Sequence, residues 1–198
     1  MLAAMARPRS FDADQVREEA MREFWERGYR DTSVEDLVAA TGLRPGSLYN
    51  AFPGGKRELF IDALERYSTL VVPRKLGALE GPDASLAEVR AYFDGLVEDL
   101  LSEEGRMGCL MVNSTVELAA TDSEVGAIVR GHMARLERNV ARALATARER
   151  GEISAAVDPA ARAKLLMATG MGLMVVGKTN PGREVLETIV AAAFADLG

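Results

Sequence analysis

Arg44, Ser47, Tyr49 and Asn50 lie within seven residues of one another, and from Leu37 through Arg57 the chain carries no Asp or Glu. A guanidinium, two hydroxyls and an amide donate hydrogen bonds to phosphate oxygens and to base edges, and a nearby carboxylate would oppose that contact. Arg44, Lys56 and Arg57 supply the cations of this window. A second group, Cys109, Asn113 and Glu117, is spaced i, i+4, i+8 and so falls on one face of a helix. Its thiol, amide and carboxylate could bind a small molecule, or the thiol could react with an oxidant or electrophile. No nucleophile–base pair and no metal-ligand spacing is visible, so the chain reads as a non-enzyme without a cofactor. One cysteine excludes an internal disulfide, and one histidine, His132, leaves no dedicated zinc site. His132 is expected on a helix surface or at an interface.

Short helices must position the first group. Helix one is predicted over 12–27, from the capping pair Asp12 and Gln15 to the stop at Gly28. Val16, Ala20 and Phe24 form its buried stripe, with Met21 and Trp25 beside it. Helix two follows a capping pair formed by Thr32 and Glu35, buries Val34, Leu37 and Val38, and ends at Gly42. Helix three begins near Pro45, which suits a first helical position, and turns Leu48 and Phe52 inward. Helix four restarts at Lys56 after "PGG" and runs to about Leu79 with a kink at Pro73. Longer helices follow at about 85–102, 107–120, 122–150, 159–178 and 183–197.

The whole is expected to be all-α. The 198 residues are 48% hydrophobic and only 6% aromatic, and β-branched runs are scarce. No apolar run is read as long enough to span a bilayer, and the start "MLAAMARPRS" lacks the apolar core of a secretory signal, so the expected home is the cytoplasm, with no membrane partner. The net charge of −6 argues against binding nucleic acid by bulk attraction. Any contact with DNA must be local.

Helix two, the tight turn "ATGL" and helix three make a helix-turn-helix, in which Gly42 supplies the left-handed turn residue. Arg44, Gly46, Ser47, Tyr49 and Asn50 then face outward on a small, acid-free surface that a B-DNA major groove would admit. The stretch "GYRDTSVEDLVAATGLRPGSLYNAFPGGKRELF" resembles the DNA-binding region of the TetR family of bacterial transcriptional regulators. The match covers about the first quarter of the chain, with Gly28, Thr32, Gly42, Gly46, Tyr49, Phe52, Lys56 and Leu59 in register.

The resemblance implies phosphate contacts from Tyr49, from Thr32 or Ser33, and from Lys56 together with the start of helix four. It implies close approach to the bases at Gly46 and base reading by Arg44, Ser47 and Asn50, with Pro45 counted among the DNA-binding residues. Two departures stand out: Ala51 replaces the histidine common before the helix-three Phe, and "PGG" lengthens the link to Lys56 by one residue. Arg7 and Arg9 form a basic arm, read either as plain surface or as a minor-groove contact.

On this reading residues 1–55 are the DNA-binding domain and 56–198 a ligand-binding and dimerisation domain, with helix four as connector. "GCL" followed by Asn113 and Glu117 resembles a subgroup of the same family. Met107, Met111, Met133, Met167, Met171 and Met174 offer adaptable apolar surface, suited either to a pocket or to plain core. Cys109, Asn113, Glu117 and Met171 are the candidates for ligand binding or sensing. Cys109 stays open between inert core residue, pocket wall and reactive thiol. The last two helices, with Ala168, Gly170, Gly172 and the stripe Leu186, Ile189, Val190, Ala193 and Phe194, fit either a four-helix homodimer interface, as the family implies, or burial of the same stripe inside a monomer.

The sequence therefore reads as a dimeric repressor that holds a pseudo-palindromic double-stranded DNA operator and releases it on binding a small-molecule inducer or on thiol modification. The alternatives are an activator of the same family, and a helical small-molecule-binding or interaction module that does not bind DNA.

Overall fold

The computed structural model describes residues 12–197, which are helical with no strand among them. Arg7 and Arg9 lie outside the described residues. The chain divides into two compact units, the first ending at Ala63 and the second beginning at Leu64.

In the first unit, α1 (Ala13–Arg27) is capped by Asp12, whose carboxylate accepts from the N–H groups of Asp14 and Gln15 at 2.9 and 3.3 Å. Val16, Ala20, Met21 and Phe24 form its buried side. The helix two cap differs from expectation. α2 (Val34–Thr41) is capped by Ser33, not Thr32, and the reciprocal partner is Asp36, not Glu35. The Asp36 N–H donates to Ser33 Oγ at 3.0 Å, and the Ser33 N–H donates to Asp36 Oδ2 at 2.8 Å. The physical reason lies in Thr32, which is fully buried and donates its hydroxyl to the Gly28 carbonyl at 2.6 Å, leaving the cap to its neighbour. Leu37 is buried, whereas Val34 and Val38 are only half-buried. Gly42 follows α2 at φ +64°, a backbone that a Cβ would strain. α3 (Pro45–Ala51) then buries Leu48, with Phe52 buried just beyond its end.

α4 (Gly55–Arg66) begins one residue earlier than expected and passes into a single π-helical turn, Tyr67–Val71, before α5 (Val72–Leu76). The Val72 N–H reaches back to the Tyr67 carbonyl. The kink expected at Pro73 is taken up by this wide turn. Proline has no N–H, and its ring crowds the carbonyl four residues back.

In the second unit α6 (Leu86–Leu101), α7 (Leu110–Glu117), α8 (Ser123–Glu149), α9 (Pro159–Gly177) and α10 (Arg183–Phe194) surround a core in which the Phe93 and Phe194 rings meet edge to face, 5.3 Å between centroids. The helix predicted from 107 starts later, at Leu110, because a 3-10 turn over Glu104–Met107 and then Gly108 intervene. A further correction concerns α9. By length and composition it is long and apolar enough to cross a membrane, against the expectation that no segment would be. Only 33% of its most apolar window is buried, which leaves an apolar face outside this chain's own core.

Candidate nucleic-acid interface and ligand cavity

The α2–turn–α3 segment presents one face outward. Arg44, Pro45, Gly46 and Asn50 are exposed, Tyr49 is 48% exposed, and Ser47 is half-buried. Behind them Leu48 and Phe52 anchor α3, so the exposed side chains stand on a fixed support. Gly46 has open space where a Cβ would stand. The fold therefore does not require glycine there.

Tyr49 is held from below. A Cβ on Gly55 would lie 2.9 Å from Tyr49 Cε1, and Gly55 has φ +60°. The "PGG" link thus provides both a left-handed residue and a flat seat for the tyrosine ring. The Gly54 N–H donates to Glu58 Oε2 at 2.7 Å.

Lys56 lies near Tyr29, its ammonium 4.4 Å from the ring centroid and 3.5 Å from the Arg30 carbonyl oxygen. Thr32 turns its hydroxyl inward and Ser33 engages Asp36, so of the two only Ser33 is at the surface. Hydrogen bonds from Ser33 hold the Asp36 carboxyl below its ordinary range, with Arg27 and Lys56 adding to the effect.

The second unit contains a small apolar cavity of about 40 Å³. Phe93, Val112, Leu136 and Leu166 line it, with Met133, Met167, Met171 and Met174 as its adaptable wall. Cys109 and Met171, both singled out from the sequence, meet here. Asn113 and Glu117 are not part of the lining. Cys109 is not in the helix but caps it, and Asn113 Nδ2 folds back to donate to the Met107 carbonyl at 2.9 Å. The i, i+4, i+8 spacing therefore does not place the three on one cavity wall.

Cys109 is buried, at 7% exposure, and its sulfur accepts from the Tyr67 hydroxyl at 3.5 Å. Burial first, and then Cys109, push the Tyr67 phenol well above its ordinary range. Lys178 approaches this corner: a Cβ on Gly108 would lie 2.8 Å from its Cε. Burial lowers the Lys178 ammonium from the ordinary lysine range, and Cys109 opposes that shift.

His132 was missed by the sequence reading. It is buried and lines the cavity, where a surface or interface position was expected. The signal existed, since Val125, Val129, His132, Leu136 and Val140 recur at helical spacing and are all buried along α8. Tyr92 also lines the cavity and, with Met174, borders an outer cleft of about 280 Å³ that carries Arg74, Lys75 and Asp99. Lys75 pairs with Asp99 there at 2.7 Å.

Among the described residues no group of three or more His, Cys, Asp or Glu side chains could hold a metal ion.

Comparisons with known proteins agree with this arrangement. The family model "Bacterial regulatory proteins, tetR family" matches residues 16–63, and "Tetracyclin repressor-like, C-terminal domain" matches residues 85–193. The chain is 29% identical to the HTH-type transcriptional repressor ComR of Escherichia coli, over 95% of this chain and 90% of that protein. It is also 29% identical to the HTH-type transcriptional repressor DhaR of a Mycobacterium species, over 91% of this chain and 89% of that one. Among solved structures, the TetR family transcriptional regulator CifR, as a cysteine mutant complexed with 26bp double-strand operator DNA, superposes with a TM-score of 0.82 at 29% identity, covering 98% of this chain and 100% of CifR. The C-terminal match alone spans more than half of the sequence, and the helix-turn-helix lies inside the N-terminal one: the chain belongs to the TetR family of bacterial transcriptional regulators.

Proposed function

We propose that this protein is a homodimeric repressor that holds a pseudo-palindromic operator and releases it when a small molecule enters, or modifies, the second unit. The observation that carries this reading is the exposed, acid-free face of α3 standing on buried Leu48 and Phe52. Arg44, Ser47 and Asn50 read base edges, Pro45 and Gly46 permit close approach, and Tyr49, Ser33 and Lys56 contact phosphates. Thr32 serves the fold through its bond to Gly28 and not the DNA. Residues 1–55, with Lys56 at the start of the connecting α4, carry the DNA contacts, and the rest of 56–198 carries the ligand and dimer contacts. Two curated relatives are named repressors, which favours repression over activation. The 26-bp operator of CifR exceeds two turns of about 10.5 bp, room for two half-sites.

Gly46 gives a direct test. Because a Cβ there meets open space, Gly46→Ala leaves the melting temperature unchanged or raises it. Operator affinity falls by about tenfold, a loss of about 1.4 kcal/mol. Equal operator affinity in titrations of native protein and variant would remove the close-approach role.

The dimer reading rests on α9; of the α10 stripe, Leu186 and Phe194 are buried within this chain's own core and are not open to a partner. Ala161, Leu165, Ala168, Gly172 and Val175 are exposed at alternating spacings of four and three along α9, the seam of a helix that packs against a partner. Gly170 instead faces the Phe93 ring. An apolar face of this kind fits a second copy of the chain and a cytoplasmic protein with no membrane role.

The inducer site is the Cys109–Met171 cavity. α4 crosses the division between the units and leads through the π-turn into α5, whose Arg74 and Lys75 line the outer cleft. Ligand that displaces α5 therefore reaches α4 along the chain itself. A difference in affinity between the DNA-fitting and misfitting states drives release.

Thiol modification is a second reading, favoured because Cys109 lines this same cavity beside Lys178. Fluorescent DNA from upstream of the protein's own gene, bound by native protein and by Cys109→Ser, is titrated with a thiol oxidant and a quinone. Release of the native protein alone establishes the thiol as the sensor. Retention by both removes that reading and leaves a non-covalent ligand.

A further inference from the structure

Among the described residues one buried side-chain nitrogen or oxygen has no hydrogen-bond partner, and it is His132 Nδ1. His132 is 7% exposed and lines the apolar cavity. A buried polar atom left unpaired costs free energy, so an orphan in a cavity wall is a place where an incoming group gains a bond that no protein group provides.

We propose that His132 is the polar anchor of this cavity, and that its ligand is a small, neutral, largely apolar molecule carrying one oxygen function, a hydroxyl or a carbonyl, that hydrogen-bonds Nδ1. The proposal rests on the reading of the cavity as the inducer site.

Three observations set the ligand class. The first is size: about 40 Å³ is well below the roughly 150 Å³ that holds a benzene ring, so a few heavy atoms fit before the methionines move. The second is polarity, since eight of the twelve lining residues are Phe, Val, Leu or Met. The third is charge: no Asp, Glu, Lys or Arg lines the cavity, Lys178 standing beside Cys109 but outside the lining, so the wall itself offers an ion no counter-charge. Burial, and then Arg135, lower the imidazole pKa to about 4, so it meets its ligand uncharged. A neutral imidazole nitrogen either accepts from a hydroxyl or donates to a carbonyl, and two probes separate these cases.

His132 is the only histidine in the chain, so its ring nitrogens give a nitrogen-15 NMR signal free of overlap from any other histidine. Tag-free protein labelled at the imidazole is titrated with 2-butanol, 2-butanone, 2-methylbutane and propionate, which have equal heavy-atom counts. The alcohol or the ketone binds about tenfold more tightly than the alkane and propionate, and it moves the Nδ1 resonance. His132→Leu removes that preference, and His132→Gln keeps part of it.

The anchor is overturned if the alkane binds native protein as tightly as the alcohol and the ketone, or if His132→Leu keeps the preference. If no probe perturbs the methyl signals of Met171 or Met174, the cavity is not the ligand site, and the inducer-site reading fails with the anchor. Comparison among the probes on native protein decides the matter even if a variant does not fold.

Discussion

Phe24→Ala is expected to destabilise the first unit by about 3–5 kcal/mol and so to abolish operator binding. Phe24 is fully buried on α1, and its ring meets Phe60 of α4 edge to face, with 5.1 Å between centroids. Tyr29 closes the cluster, 4.8 Å from Phe60. Truncation removes both the buried area and the aromatic contacts, and neighbours on three different segments cannot collapse into the gap together. A unit of about 60 residues has little stability in reserve, so a loss of this size unfolds a large share of it. The only tryptophan, Trp25, sits on α1 and reports this unit selectively. Denaturant unfolding followed by Trp25 fluorescence should move to a markedly lower midpoint, and DNA titration should show no operator complex. The second unit has its own core, so amide protection in α8 and α9 should persist. A Trp25 midpoint that moves by less than the equivalent of about 1 kcal/mol would show that the aromatic cluster does not hold the unit together.

The second large effect is an acid window set by His132. Burial, and then Arg135, lower its pKa from 6.5 to about 4 in the folded protein. Unfolded chain therefore binds a proton between these values while folded chain does not, and stability falls as pH drops through the window. The loss approaches 3 kcal/mol, at about 1.36 kcal/mol for each pH unit of separation. Above about pH 6.5 the imidazole contributes no pH dependence.

Arg135 follows on α8, while Tyr92 and Cys109 share the cavity wall with the imidazole. Burial raises the Tyr92 phenol, which stays neutral throughout the window. Asp36, Glu88 and Glu98 are held below their ordinary carboxyl range by hydrogen bonds from Ser33, Ser85 and Arg183. Their stabilising contribution is lost as pH falls towards those lowered values, below most of the His132 window. Urea unfolding from about pH 7 to about pH 4.5 should show a steep slope for native protein and a shallow one for His132→Gln. Equal slopes would mean that the imidazole takes up its proton as readily folded as unfolded.

Much of the DNA-binding unit was legible in the sequence because its signals are local. Gly28, Gly42 and Pro45 punctuate the helices by backbone geometry alone, and Asp12 caps α1 as its type and position require. Leu48 and Phe52 point inward because spacing within one short helix determines their face. The acid-free stretch that borders α3 is a property of composition and needs no fold to be seen. For the same reason the all-α class and the TetR resemblance could be read before any coordinates.

What the tertiary structure decided is everything that depends on which segment covers which. Thr32 and Ser33 both suit an N-cap, and burial of Thr32 against the Gly28 carbonyl leaves that role to Ser33. Cys109, Asn113 and Glu117 share a helical spacing, but helix phase cannot say where the helix starts, and here it starts after Cys109. His132 looked like a surface residue because a histidine is polar, whereas the packing of the second unit closes over it and leaves Nδ1 unpaired. The outward face of α9 is likewise known only once its inward face is covered. Local residue type dictates caps, turns and helix faces, and only long-range packing selects which of those faces becomes a core, a cavity or a surface left for a partner.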